Sequence, residues 1–389
     1  MHSVLLIIFI LSAYAIVHSY VVYPLWLILF TSDKKKRNEL YTLHDDLPSV
    51  GILMAAYNEE KVIGDKIASV FNTSYPLDRI TFYIGSDAST DRTDAIIQEW
   101  SSRFPQVKLK RFGGRTGKSG IINQLASEAK EDVFILTDAN VIFKPDTIFN
   151  LLRHLKNASV AQVAANIIKV SPNNKGIASQ EKSYIALENK IKYCESVRWN
   201  VIMGAEGGCY AIKRENFSPV PKNFYMDDFY ITMNVIEQGK EIIFDAEAIC
   251  NEDVPTKSHE EFKRKVRISI GNFQNLARYK KLLFPLWKGS AFAFWSHKVL
   301  RWMTPFLLIL CFGVSFVLMF HYKVFVILFA LQLFGFFTPV IDWVLGLNIA
   351  LLRFVSHFYL MNLALLKGFF IYVKGVDSNV WQPTKRETA

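Results

Sequence analysis

Apolar positions crowd the two ends of the chain, and the middle alternates. Residues 1–32 contain no Asp, Glu, Lys or Arg. A bilayer-crossing helix needs about 20 apolar residues, so this stretch predicts an N-terminal transmembrane anchor despite Pro24. Asp33-Lys34-Lys35-Lys36-Arg37 follow at once. Cations flanking a span favour the cytoplasmic side, which leaves the N-terminus outside. A cleaved signal peptide would carry its basic residues before the apolar core, not after it. Near the other end, Trp302–Tyr322 is free of formal charge, Val324–Leu345 carries only Asp342, and Phe354–Val373 carries only Lys367. The first two predict a helical hairpin turning around His321, Tyr322 and Lys323. The third can span, re-enter or lie in the interface. A cytoplasmic tail with Lys385 and Arg386 agrees best with the positive-inside tendency.

Between these ends the pattern predicts residues 33–48 as a basic linker, 49–290 as one globular domain, 291–375 as membrane helices and 376–389 as a tail. Strands are expected at Val50–Ala55, Ile80–Gly85, Val107–Arg111 and Val133–Thr137. Helices are expected at Glu59–Phe71, Thr93–Trp100 and Lys118–Ala129. Continuous apolar strands separated by helices predict an α/β domain whose mostly parallel sheet is covered on both faces. Ligands of such sheets bind beyond the carboxyl ends of the strands. The polar clusters Tyr57-Asn58-Glu59, Ser86-Asp87-Ala88-Ser89 and Asp138-Ala139-Asn140 fall there.

Composition narrows the class. The 389 residues are 51% hydrophobic and 21% charged, which excludes a disordered chain. The net charge is +10, but no aromatic-basic RNA motif or groove-reading basic helix accompanies it, so nucleic acid is not an expected partner. Anionic membrane lipids or a diphosphate ligand account for the surplus. The four cysteines lack CxxC spacing, which argues against zinc and disulfides. Gly113-Gly114-Arg115-Thr116-Gly117-Lys118-Ser119 fails as a phosphate loop, because Phe112 stands where its first glycine belongs.

Six motifs in order carry a resemblance. Pro48 to Glu60, Asp87-Ala88-Ser89-Thr90-Asp91, Gly117-Lys118-Ser119, Asp138-Ala139-Asn140, Asp227-Asp228, and Arg264 with Arg267 together resemble a membrane-bound family 2 glycosyltransferase. The resemblance implies a GT-A fold, Rossmann-like with a mostly parallel sheet. It also implies an inverting enzyme with a nucleotide-sugar donor, UDP-linked, and a lipid-linked or polysaccharide acceptor. A cell membrane with the catalytic domain on the cytoplasmic side is the setting, most simply a bacterial inner membrane, with room for membrane partner subunits.

Roles follow from the same resemblance. Tyr57, Glu59, Asp87, Lys118, Asp138, Arg264 and Arg267 are expected to bind the donor. Asp87 and Ser89 could otherwise cap a helix starting near Thr90. Asp138 and Asn140 stand where the family holds Mg²⁺ or Mn²⁺; Asn140 offers a carbonyl oxygen without charge. Asp228 is the expected base for the acceptor hydroxyl, with Asp227 orienting it. The pair could otherwise cap a helix beginning near Phe229. Arg264 and Arg267 share a helix face and suit either diphosphate or lipid headgroups. Gly207 and Gly208 are expected to border the acceptor, or to form a plain turn. Ile268 stands where processive members carry Trp, which weakens the case for a polymerising synthase, although another aromatic such as Phe273 could serve as the platform. With Asn140, Ile268 leaves a second reading, a nucleotide-sugar-binding sensor or export partner without turnover.

Overall fold

The computed structural model describes residues 2–31, 39–170, 177–253, 258–345 and 349–376. The basic run 33–37 and the tail cations Lys385 and Arg386 lie outside the described residues. In chain order, helices α1 (His2–Val17) and α2 (Tyr23–Phe30) join through a π turn, His18–Val22. Strand β1 (Val50–Ala56), α3 (Ile63–Phe71), β2 (Ile80–Ser86), α4 (Thr93–Arg103), β3 (Val107–Arg111), α5 (Lys118–Glu128) and β4 (Val133–Thr137) come next. They lead to β5 (Val141–Phe143), α6 (Thr147–Arg153), β6 (Val160–Val170), α7 (Ile177–Trp199), β7 (Cys209–Lys213), α8 (Asp227–Glu237) and β8 (Glu241–Asp253). Helices α9 (Ser258–Arg278), α10 (Gly289–Ala293), α11 (Leu300–Leu318), α12 (Lys323–Leu345) and α13 (Ala350–Lys374) complete it. The chain divides into two compact units: Met1–Trp26 with Lys257–Val376, and Leu27–Thr256 with Asp377–Ala389.

The second unit is built on one sheet of order β3-β2-β1-β4-β7-β6-β8-β5. Strands β3, β2, β1 and β4 are parallel; β1 and β4 are almost wholly buried runs, whereas β3, at the sheet edge, alternates apolar and basic residues. Val50, Ile52, Leu53 and Met54 are each fully buried, and helices cover both faces. β7 runs antiparallel to β4 and β6, and β5 antiparallel to β8, so the sheet is mixed. The helix expected from Glu59 starts only at Ile63. Asn58 adopts φ 54°, and a turn in which Val62 N–H bonds to the Glu59 carbonyl precedes the first helical residue.

The stretches His2–Phe30, Gly289–Leu318, Lys323–Leu345 and Ala350–Lys374 are long and apolar enough to cross a membrane, and all but Leu27–Phe30 belong to the first unit. α11 ends at Leu318 and α12 begins at Lys323, the expected hairpin turn. α1 lies beside this hairpin: Leu5, Ile8 and Phe9 pack on Val314, Leu318 and Phe325. The third C-terminal segment packs along the amphipathic helix α9. Ser269 Oγ donates to the Leu365 carbonyl at 2.7 Å. A Cβ on Gly368 would lie 2.4 Å from Ser269 Cβ and 2.7 Å from the Val266 carbonyl oxygen, so only glycine lets the two helices approach this closely. Gly368→Ala therefore destabilises this unit by about 1–3 kcal/mol, the usual cost of overpacking. A lowered melting temperature in detergent checks it; an unchanged one would mean that the crossing relaxes freely. Phe273 is 4% exposed, with its ring against Phe369, Tyr372 and Phe306. It is a packing residue, which corrects its expected use as an acceptor platform.

Candidate active site

Three strand ends and one strand start share an edge of the sheet. β1, β2 and β4 run in parallel and finish at Ala56, Ser86 and Thr137. β7 runs the other way and sets Cys209 opposite Thr137. Tyr57-Asn58-Glu59, Asp87, Asp138 and Gly207-Gly208 therefore emerge along one edge, where open α/β sheets bind ligands.

On the β1–β2 side, the Asp87 carboxylate is buried and organises the loop before α5. It accepts hydrogen bonds from Thr116 N at 2.5 Å, Gly117 N at 3.2 Å and Arg115 Nε at 3.0 Å. The Arg115 guanidinium also lies 3.4 Å from the centroid of the Tyr57 ring. Tyr57, Arg115 and Asp87 thus form one cluster, a stacked cation and carboxylate suited to a base or ribose. The helix after β2, α4, starts at Thr93, whose N–H donates to Asp91 Oδ1 at 3.0 Å. Asp91, not Asp87 or Ser89, holds that terminus, which overturns the capping reading. Glu59 is nearly buried, and its N–H donates to Thr93 Oγ1 at 2.8 Å. The sequence reading missed Arg115. Its signal was the glycine-rich segment set aside as a failed phosphate loop, where Gly117 takes φ 81°.

On the β4–β7 side, acids surround one ammonium. Lys118 Nζ lies 2.7 Å from Asp138 Oδ1, 3.9 Å from Asp227 Oδ2 and 3.4 Å from the Gly207 carbonyl. Burial opposes its charge, but Asp138, Asp227 and Asp228 outweigh that and raise its pKa. Asp227 and Asp228 begin α8, after Met226 turns the chain at φ 58°. Both acids therefore sit in the first helical turn, near the positive end of the helix dipole, and not before it as caps. Burial and the neighbouring Asp227 push the Asp228 carboxyl up to about 6, with Lys118 pulling the other way. A Cβ on Gly207 would stand 2.9 Å from Asp228 Oδ2. On Gly208 it would meet Ile167 at 2.7 Å and Val141 at 3.0 Å. Gly207 thus keeps the space before the carboxylate open, whereas Gly208 answers to packing.

Residues 51–219 match the profile of glycosyl transferase family 2. That segment is similar to the family's domain. The beta-monoglucosyldiacylglycerol synthase of Synechocystis sp. is 36% identical over 103 residues, covering 26% of this chain and 22% of that protein. The poly-beta-1,6-N-acetyl-D-glucosamine synthase of Staphylococcus epidermidis is 25% identical over 251 residues, 60% of this chain and 57% of that protein. The chain thus spans less than two thirds of the length of these curated relatives. A mannosyltransferase from Pyrobaculum calidifontis, solved with GDP-Man and Mn²⁺, shares the fold. Its TM-score is 0.69 at 19% identity, covering 95% of this chain and 99% of that one. The GT-A fold is thereby established for this chain.

The family's divalent cation can be tested against the residues present. Asn140 Nδ2 donates to Glu252 Oε1 at 3.3 Å, and Glu252 is held by the buried Lys169 at 2.7 Å. With its NH₂ directed at Glu252, the Asn140 side chain has its carbonyl oxygen left as a ligand beside Asp138. Among the described residues, no group of three or more His, Cys, Asp or Glu could hold an ion alone. One carboxylate and one amide oxygen fit a hard cation that completes its shell with substrate phosphates and water. Glu252 and Lys169, absent from the sequence reading, act as the support of Asn140. Arg264 and Arg267 lie on α9 in the first unit, where Arg264 Nη1 approaches Glu261 Oε2 at 3.5 Å.

Gly207→Ala is expected to lower any sugar-transfer turnover at this site at least about tenfold, because its methyl displaces the Asp228 carboxylate by a fraction of an ångström. Its melting temperature should stay near wild type. Unchanged turnover would place the base elsewhere.

Proposed function

We propose that the chain is a membrane-embedded, inverting glycosyltransferase that moves a sugar from a nucleotide-sugar, UDP-linked, to a lipid-linked or polysaccharide acceptor. The observation that carries the reading is the grouping of Asp138, Lys118, Asp227 and the pKa-raised Asp228 at one strand edge beside Gly207. The acceptor hydroxyl gives its proton to the Asp228 carboxylate as its oxygen attacks the anomeric carbon. The bond from that carbon to the diphosphate breaks, and a single displacement inverts the centre. The leaving diphosphate gains charge, which Lys118 meets directly. Asp138 and Asn140 would hold a Mg²⁺ or Mn²⁺ ion, which neutralises the same charge when bound. Tyr57, Arg115, Glu59 and Asp87 would receive the base and ribose.

The acceptor reading draws on the related diacylglycerol-glucosylating and poly-N-acetylglucosamine synthases. Four apolar helices suit an acceptor that stays at a bilayer. The basic run after the first helix supports a cytoplasmic catalytic domain, in a bacterial inner membrane. The test is nucleotide release by the protein in lipid, with Mn²⁺ or Mg²⁺ and a panel of UDP- and GDP-sugars. Release of UDP from one sugar, enhanced by a diacylglycerol or an oligosaccharide primer, is the expected result. Release of GDP alone would replace the donor assignment. Nucleotide binding without turnover under every condition would favour the sensor reading.

A further inference from the structure

Lys66 is out of keeping with its surroundings. It lies on α3 among Ile63, Ile67 and Val70 and is fully buried, 0% exposed. A buried charge persists only where hydrogen bonds compensate it. Lys66 Nζ donates to Thr137 Oγ1 at 2.9 Å and to the Val141 carbonyl at 2.6 Å. It also sits 3.5 Å from the centroid of the Phe143 ring. Burial lowers its pKa to about 8, so the amine remains mostly charged at neutral pH.

The two acceptors are informative by position. Thr137 is the last residue of β4 and Val141 the first of β5. The three residues between them are Asp138, Ala139 and Asn140, so the ammonium ties together both ends of the turn that carries the two cation ligands. Thr137 Oγ1 donates in turn to the Gly208 carbonyl at 2.9 Å, and Asp138 N–H donates to the same oxygen at 3.2 Å. The turn and the glycine segment beside Asp228 are thus joined to one buried cation. Stability alone gives no reason for a charge here, since an apolar side chain of similar volume commonly replaces a buried ion without loss.

We propose that Lys66 is a positioning residue, which holds the 138–140 turn in the geometry that receives a divalent cation with the donor diphosphate. It touches neither group and acts through Thr137 and Val141. The proposal rests on the donor reading given above. It separates two demands at one position: filling the core, which Met satisfies, and fixing the turn, which needs a multivalent hydrogen-bond donor.

The test uses the full chain in lipid nanodiscs, with UDP and GDP titrated calorimetrically in Mn²⁺ and again in EDTA. Lys66→Met is expected to keep or raise the melting temperature. It should weaken nucleotide binding ten- to a hundredfold in Mn²⁺, the usual range for residues that orient metal ligands. Binding in EDTA should not change. Thr137→Val, which removes only the hydroxyl, should show a smaller loss of the same kind. If Lys66→Met does not fold, the Mn²⁺–EDTA split in Thr137→Val decides alone. Wild-type affinity in Mn²⁺, or an equal loss in Mn²⁺ and EDTA, would overturn the positioning role. Wild-type protein that binds neither nucleotide in either condition would overturn the donor reading, and this role with it.

Discussion

Asp228→Asn is expected to slow sugar transfer by roughly 10²- to 10⁴-fold, the range for loss of a general base, while nucleotide affinity stays near wild type. The substitution keeps the size of the side chain and its place in the first turn of α8, but the amide accepts no proton. Wild-type activity should fall as the pH drops through about 6, where the carboxylate becomes protonated. Stability moves the other way. The folded pKa lies above the ordinary 3.8, so the native state favours the protonated acid. The stability from that proton is complete below about 3.8 and is lost as the pH rises through about 6. At neutral pH the buried carboxylate is a cost on the order of 1–3 kcal/mol, and Asp228→Asn should remove most of it. A variant with a higher melting temperature, intact nucleotide binding and no turnover is the signature of a base. Retained turnover would eliminate Asp228 from that role.

Lys118→Met should lower kcat/KM by roughly 10²- to 10³-fold, as loss of a preorganised group at a developing charge does. It should also move the acid limb of the pH profile above 6. The ammonium lies between Asp138 and Asp227 and holds down the Asp228 pKa. Without it the three carboxylates repel one another, and Asp228 takes up its proton at higher pH. Because the Lys118 pKa is raised in the fold, its contribution to stability is complete below the ordinary lysine pKa. That contribution is lost only in strong alkali, so the variant should be less stable at every pH from 5 to 9. Rates measured across that range test both parts. An acid limb that stays at 6 would show that Lys118 serves the donor without influencing the base.

The two acids make the limits of sequence reasoning concrete. Asp227-Asp228 stood out as a pair, yet cap and base were equally compatible with their spacing. Met226 in a left-handed conformation caps a helix that starts at Asp227, two residues before the Phe229 start that the capping reading requires. Asp87 is the parallel case: α4 was expected, but Asp91 holds its start, and Asp87 turns to the loop before α5. Arg115 stood inside a glycine-rich segment that failed as a phosphate loop, and Glu252, Lys169 and Lys66 carried no motif at all. Each matters through a partner 28 to 112 positions away in the chain, and local patterning records nothing of that.

The sequence by itself determined the apolar ends, the α/β middle and the order of polar clusters at strand ends. Periodicity and span length are local properties of consecutive residues, and the fold had to bury them. The direction of β7, the space before Asp228 and the buried ammonium under the 138–140 turn were decided by tertiary structure alone. Strand direction, close approach and burial arise only when distant segments pack, and those set the pKa of Asp228 and the shape of the 138–140 turn.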